Sequence, residues 1–397
     1  MKWERVKLGT IADMCLGKML DQNKNKGEYQ PYLANINVRW GSFNLDDLSQ
    51  MRFEDREQER YGLEFGDLII CEGGEPGRCA LWKNAVPNMK IQKALHRVRP
   101  HECLDNRYLY YWFLLAGKAG ALEQYFTGAT IKHMPGQMLA SVLIDLPPIS
   151  IQRSIAEILS TYDDLIENNQ KQIKLLEEAA MRLYKEWFVN LRFPGHENTT
   201  ILDGLPQGWK KTRISDIVDI KSGFAFKSKD FVANGIYGIV TIKNVQVGSF
   251  STANMSHIHQ LPAKMPKHCI LKEGDILLSL TGNVGRVCIV YGENYLLNQR
   301  VAKLESQYMG YAYCLFSSHE LFVEMNNLAN GAAQQNLSPI KTGDIKWIIP
   351  SSSILSLFEN QTSAMFKRIS LLNKQIMLLV QARDKLLPKL MSGEIEV

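Results

Sequence analysis

Two polar loops carry side chains suited to recognition. Thr127-Gly-Ala-Thr-Ile-Lys-His133 and Asn330-Gly-Ala-Ala-Gln-Gln-Asn336 share a Gly-Ala step and then diverge. Glycine lets a backbone come close to a ligand. In the second loop Gln334, Gln335 and Asn336 offer the paired donor and acceptor that match the major-groove edge of adenine. In the first, Lys132 and His133 suit a phosphate or a guanine, and Thr130 is a further DNA-contact candidate. Arg78 and Arg286 each follow a Gly-x-x-Gly turn and add a guanidinium suited to phosphate. Solvent-exposed turns, and a structural salt bridge for either arginine, are the competing readings.

The usual catalytic patterns are missing. There is no G-x-x-x-x-G-K-[ST] phosphate loop, no G-x-G-x-x-G after a strand and no G-x-S-x-G nucleophile turn. Leu146-Pro-Pro-Ile149 lacks the polar residue and the aromatic with which an amino-methyltransferase grips a flipped base. The 8 histidines are scattered, and His257-x-His259 has no acidic neighbour. The 7 cysteines form no C-x-x-C pair, which argues against a zinc site or a disulfide framework. A chain that reads, binding no metal or cofactor of its own, fits better than a catalyst.

The elements that must position these loops come in duplicate. Trp3 to Asp13 reappears as Trp209 to Asp219, and the stretch around Asn37, Gly41 and Phe43 recurs around Asn244, Gly248 and Phe250. Gly66-Asp67 with Gly74-x-x-Gly-Arg78 answers to Gly274-Asp275 with Gly282-x-x-Gly-Arg286. Gln92 is matched to Gln299, Gly128-Ala129 to Gly331-Ala332, and Leu146-Pro-Pro148 to Ile349-Pro-Ser351. The order is kept throughout, and a period of roughly 205 is far beyond the 20–50 residues of a solenoid repeat. A duplicated domain is the expectation, in a chain of 397 residues that exceeds one ordinary core.

Each copy begins with an α+β part. Leu68–Cys71 and Ile276–Ser279 read as strands between turns, and Arg107–Leu115, behind the N-cap residues Asp105 and Asn106, reads as a helix with Tyr308–Phe316 as its counterpart. A long stretch free of Gly and Pro follows. Ile151, Ile155, Ile158, Tyr162, Leu165, Ile173, Leu176, Ala180, Leu183 and Trp187 form one helical seam there, with Asn169 in a gap. Met365, Ile369, Leu372, Ile376, Leu379 and Leu386 form the second seam, shifted locally by one residue because Ile369 answers to Ile166 rather than Leu165. Pro388 is expected to end that helix. Helices of about 36–40 residues span about 54–60 Å, and two with one stripe each pair most simply with one another, in a coiled-coil manner. Faces left over, around Tyr184, Trp187 and Phe188, are candidate docking surfaces for a partner protein. Phe193 to Thr200 reads as a polar linker.

Together these parts resemble the specificity (S) subunits of type I restriction–modification systems. The resemblance rests on Trp209-Lys-Lys-Thr-Arg-Ile-Ser-Asp-Ile217 after Leu205-Pro-Gln-Gly208, on Gly274-Asp-Ile-Leu-Leu-Ser-Leu-Thr-Gly-Asn-Val-Gly285, and on Leu146-Pro-Pro-Ile-Ser-Ile-Gln-Arg153 with its long helix. Lys385-Leu-Leu-Pro-Lys-Leu-Met-Ser-Gly-Glu-Ile395 completes it. It implies target-recognition domains at residues 1–147 and 209–350, spacer helices at 148–190 and 351–397, and a linker at 191–208. Each domain would read one half of a bipartite site in double-stranded DNA, with half-sites about one turn (~34–36 Å) apart. It implies two methyltransferase (modification) subunits that use S-adenosylmethionine on adenine N6, and restriction subunits that use ATP and Mg²⁺. The copies differ where Gly74-Glu-Pro-Gly77 carries an acid in place of Asn283.

Bulk properties agree. A net charge of +5 is compatible with a polyanion but too mild to identify one, and most of the excess lies in residues 200–350. The opening MKWERVKLGT lacks the apolar core of a signal peptide, and no stretch reaches the ~20 apolar residues of a membrane span, so a cytoplasmic chain is expected. The alternatives are a specificity chain of another restriction–modification or phase-variable methylation system, a DNA-modifying enzyme in its own right, and a scaffold that binds no DNA.

Overall fold

In the computed structural model, which describes residues 3–21, 25–329 and 335–397, the sequence repeat becomes a repeat of strands and registers. Glu4–Lys7 pairs antiparallel with Leu143–Leu146, with Glu4 opposite Leu146. Lys210–Arg213 pairs in the same way with Lys346–Ile349, with Lys210 opposite Ile349. Each copy thus closes its first strand on its last.

Inside the first copy lies a four-stranded antiparallel sheet in the order Ala12–Leu16, Leu95–Pro100, Leu68–Cys71, Cys79–Leu81. The second copy repeats it with Asp219–Ser222, Val301–Glu305, Ile276–Ser279 and Val287–Ile289. Leu68–Cys71 and Ile276–Ser279 are buried throughout, as a continuous apolar run covered on both faces must be. The aspartate before each run closes the turn. Asp67 accepts the Glu64 N–H at 2.7 Å, and Asp275 accepts the Lys272 N–H at 2.8 Å. Both carboxylates sit beside a base, Arg99 at 2.8 Å and Lys303 at 3.0 Å, so neither charge is buried alone.

A smaller sheet packs alongside. In the first copy it holds Gln50–Phe53, Glu28–Leu33 and Lys90–Ile91; in the second it holds Ser256–Ile258, Tyr237–Val240, Tyr295–Leu297 and Ile270–Leu271. The parallel pair in each sheet corrects one sequence match. Gln92 donates its N–H to Leu33 O at 3.0 Å, and the residue that does so to the equivalent Val240 O, at 3.1 Å, is Asn298. Gln92 therefore corresponds to Asn298, and Lys93 to Gln299. Where the chain crosses these strands there is no room for a side chain. A Cβ on Gly17 would lie 2.3 Å from Gln92 O, and one on Gly223 would lie 2.3 Å from Asn298 O.

The expected helices form at Asn106–Lys118, capped by Asp105 through the N–H groups of Arg107 and Tyr108, and at Met309–Ser317. The long ones run Ile149–Tyr184 and Ser352–Met391. After Tyr184 the first helix widens into a π-turn, with the Asn190 N–H on Lys185 O at 2.8 Å. Ile155, Ile173, Ala180 and Trp187 are buried along its seam as expected, but Leu165 is exposed and Ile166 takes the inward position. Ile166 and Ile369 are then true counterparts, and the one-residue shift read from the sequence disappears. Pro388 does not end the second helix. A proline forfeits one backbone hydrogen bond, and here the buried Leu387, Leu390 and Met391 hold the last turn against the core until Gly393.

The chain divides into two compact units, residues 1–165 with 379–397, and residues 166–378. The division crosses both long helices, so each unit holds one globular domain and a piece of each helix. The pieces run antiparallel in both. In the first unit Arg383 pairs with Asp163, while Ile155 and Leu159 share a core with Leu387 and Leu390. In the second, Asn169 reaches Gln375 at 3.4 Å and Arg368 reaches Gln172 at 3.4 Å. The stretch after the first helix is anchored rather than free, since Phe193 is buried against Trp209 with ring centroids 5.1 Å apart.

Candidate nucleic-acid interface

The Gly-x-x-Gly-Arg sequence is the tip of the hairpin that links the third and fourth strands of each main sheet. Gly74, Gly77, Gly282 and Gly285 all have φ between +71° and +87°, a backbone that residues with a Cβ rarely adopt. The Gly77 N–H bonds Cys71 O at 3.0 Å, and the Gly285 N–H bonds Ser279 O at 3.0 Å. These glycines serve the turn.

Against the first hairpin lies the polar loop of residues 127–133, and against the second lies the described end of its counterpart, at Asn336. Thr127 and His133 exchange backbone hydrogen bonds of 2.7 and 2.8 Å, so the first loop closes on itself. His133 then bridges to Gly73, and Asn336 bridges to Thr281 in the second copy. The two motifs found separately in the sequence are therefore neighbours, at the same bridge, in both domains. Thr130, Lys132 and His133 are exposed there, with Lys132 3.7 Å from Glu123. Asn336 is exposed and Gln335 half-buried, while Gln334 lies outside the described residues. His96 supports the first loop from beneath, its ring 3.1 Å from Met134 O. Burial holds its pKa below the ordinary range against that hydrogen bond, so the imidazole is neutral and donates one N–H to the carbonyl.

Two expectations need correction. Arg78 points inward, donating to Asn35 O at 3.0 Å and Asn35 Oδ1 at 2.6 Å and pairing with Glu75 at 3.1 Å. Arg286 is half-buried and donates to Gln246 Oε1 at 2.6 Å. Both tie the hairpin to a neighbouring loop and are not laid out for phosphate. Likewise Tyr184 and Trp187 are only 3% and 4% exposed, and Phe188 packs with them on Phe358 and Tyr311 at centroid distances of 4.9 and 5.0 Å. This aromatic cluster is the core of the second unit and leaves no docking surface at these residues.

The loop that the arginines hold was missed by the sequence reading as part of the site. It spans residues 34–40 and 241–247. A buried asparagine fixes it in each copy: Asn37 accepts the Ala34 N–H at 2.9 Å and donates to Asn44 O at 3.1 Å. Asn244 accepts the Thr241 N–H at 2.9 Å and donates to Ser251 O at 2.9 Å. Asn35 carries the connection onward by donating to Gly73 O at 2.6 Å. The recurrence of Asn37 as Asn244 was the available signal, but it marks the scaffold and not the exposed residues beside it. Leucine at 244 would leave the Thr241 N–H and the Ser251 carbonyl without this partner, so Asn244→Leu is expected to destabilise the second unit by about 2–4 kcal/mol in denaturant unfolding. A loss under 1 kcal/mol would show that the asparagine does not hold the loop.

Chemically, the surface offers hydrogen-bonding, cationic and apolar side chains on three tied loops. Among the described residues no group of three His, Cys, Asp or Glu side chains could hold a metal ion. No helix among them is long and apolar enough to cross a membrane.

The chain is similar to known proteins. The sequence matches the type I restriction modification DNA specificity domain twice, over residues 1–178 and 206–372. It is similar to the MjaIX type I restriction enzyme specificity subunit of Methanocaldococcus jannaschii, 28% identical over 84% of this chain and 78% of that protein. The MjaVIII specificity subunit of the same organism is 25% identical over 100% of this chain and 93% of its own length. In structure the chain resembles the crystal structure of a type I restriction–modification system S subunit from M. genitalium, with a TM-score of 0.59 at 18% identity, covering 98% of this chain and 96% of that one. With both copies of its repeat matched, this chain belongs to the type I restriction modification DNA specificity domain family.

Proposed function

We propose that this chain is the DNA sequence-specificity subunit of a type I restriction–modification complex, in which each globular domain reads one half of a bipartite target. The observation that carries this reading is the repeated bridge, Gly73 to His133 and Thr281 to Asn336. A shared scaffold there presents different side chains, as two readers of different half-sites require. Reading takes place through base edges, while phosphate contacts set position.

The chain itself performs no bond-making step. Two methyltransferase subunits and the restriction subunits are its proposed partners, bringing S-adenosylmethionine, ATP and Mg²⁺, and the paired long helices are the proposed ruler between readers. The proposed location is cytoplasmic.

The test is an adenine-methylation map of cells expressing this chain with its methyltransferase partner, beside cells lacking only this chain. A new two-part motif with a fixed gap is expected, and exchanging residues 1–147 for those of a relative should change one half alone. No new motif, with both proteins associated, would overturn the reading.

A further inference from the structure

We propose that Ile36 and Lys243 are equivalent base-reading positions, one in each domain, an inference that rests on the DNA-specificity reading above. The two residues occupy the same place in the same turn. Asn37 returns its N–H to Ala34 O at 2.9 Å, and Asn244 returns its N–H to Thr241 O at 3.0 Å, so two residues lie inside each turn. The first faces inward. A Cβ on Gly74 would meet Asn35 Oδ1 at 3.5 Å, and one on Gly282 would meet Ile242 Cδ1 at 3.3 Å, so both inner residues pack on the hairpin. The second faces outward: Ile36 is 72% exposed, and Lys243 is exposed with no ion pair among the described residues.

The turn held by the buried asparagine is therefore kept, while its outward residue changes from apolar to cationic. An isoleucine at that exposure adds little to the fold. Its position beside the Gly73–His133 bridge, reached through Asn35 on Gly73 O at 2.6 Å, puts it on the edge of the interface. In the major groove the apolar feature is the thymine methyl, and the features that take a lysine are guanine O6 and N7. Ile36 thus faces an A·T pair in the first half-site and Lys243 a G·C pair in the second. The buried Asn37 and Asn244 carry none of this information, so the two half-sites differ at this position without any change in the asparagine that holds the turn.

The experiment uses the full chain co-expressed with its methyltransferase partner, as Ile36→Lys and Lys243→Ile, scored on every single-base variant of the motif. Both side chains are exposed, so the variants should melt with the parent. Ile36→Lys should change base preference at one position of one half, and Lys243→Ile at one position of the other, each by about 5- to 150-fold, the range of one good base contact. Unchanged preferences at every position would overturn the inference while leaving the DNA-specificity reading intact. An even loss across all sites would also overturn it, since that marks a phosphate contact. A parent chain that directs no bipartite motif would bring down both.

Discussion

Gly223→Ala should unfold the second unit under conditions in which the parent is fully native. The added methyl would lie 2.3 Å from Asn298 O, 2.4 Å from its carbonyl carbon and 2.5 Å from Leu297 O. All three are backbone atoms at the end of the Tyr295–Leu297 strand, which is paired on either side, so none can swing away. Relief requires the chain at Gly223 to lift. That breaks the Gly223 N–H bond to Val301 O at 3.1 Å and the Phe224 N–H bond to Leu297 O at 2.9 Å. Overpacking of about 1–3 kcal/mol plus two lost hydrogen bonds at about 0.5–1.5 kcal/mol each gives roughly 2–6 kcal/mol, a large share of the stability of an ordinary domain. Gly17→Ala should do the same to the first unit, against Gln92 O at 2.3 Å. Denaturant unfolding followed by domain-specific proteolysis separates the two. A variant as stable as the parent would show that the strands do not cross this closely.

The second large effect is expected at Asp163. Its carboxylate pairs with Arg383 and accepts the Tyr111 hydroxyl at 2.6 Å, while Arg383 also bonds Asp384 at 2.9 Å and Lys118 bonds Asp384 at 2.7 Å. Asp163→Ala would leave a largely buried guanidinium with one partner and the Tyr111 hydroxyl with none. Removing one member of such a group costs about 3–5 kcal/mol, so the ends of the long helices in the first unit should fray first. The same group sets an acid limit. Burial works against the Asp384 charge, but the Lys118 and Arg383 contacts outweigh it and hold the pKa below the ordinary 3.8. A carboxylate depressed by folding adds stability above its unfolded pKa and loses it as pH falls through the folded one. The parent should therefore keep this contribution at neutral pH and lose it below about pH 4, where an Asp384→Asn variant, lacking the group, shows no such dependence. Equal acid sensitivity of the two would rule the contribution out.

What the amino-acid order made legible was whatever repeats or alternates. The offset near 205, the buried runs at Leu68 and Ile276, and the heptad-like seams all appear in the folded chain, because local propensity and side-chain period dictate them. Leu165 and Ile166 show where that ends. Neighbours on a helix point about 100° apart, and which of two apolar residues faces inward depends on what the partner helix presents. Arg78 shows a second limit. Its partner Asn35 is 43 residues away, so nothing in Gly-x-x-Gly-Arg reveals that the guanidinium is already committed. Tyr184, Trp187 and Phe188 were read as surplus surface for a related reason, since the residues that cover them, Tyr311 and Phe358, lie far along the chain. The interface was legible as two loops and not three, because Ile36 and Lys243 differ in chemistry and only their buried neighbour repeats.

The closure of each domain's first strand on its last has a consequence for heredity. Glu4 sits opposite Leu146 and Lys210 opposite Ile349, so the two ends of a domain emerge about 5 Å apart. A segment whose ends are neighbours can be cut from one lineage and pasted into another with no rearrangement of the host chain. Gene conversion that begins in one helix-coding stretch and ends in the other would deliver the whole of the second domain in one event. Diversity in such a lineage would then arise by shuffling intact parts, a far quicker route than accumulating point changes.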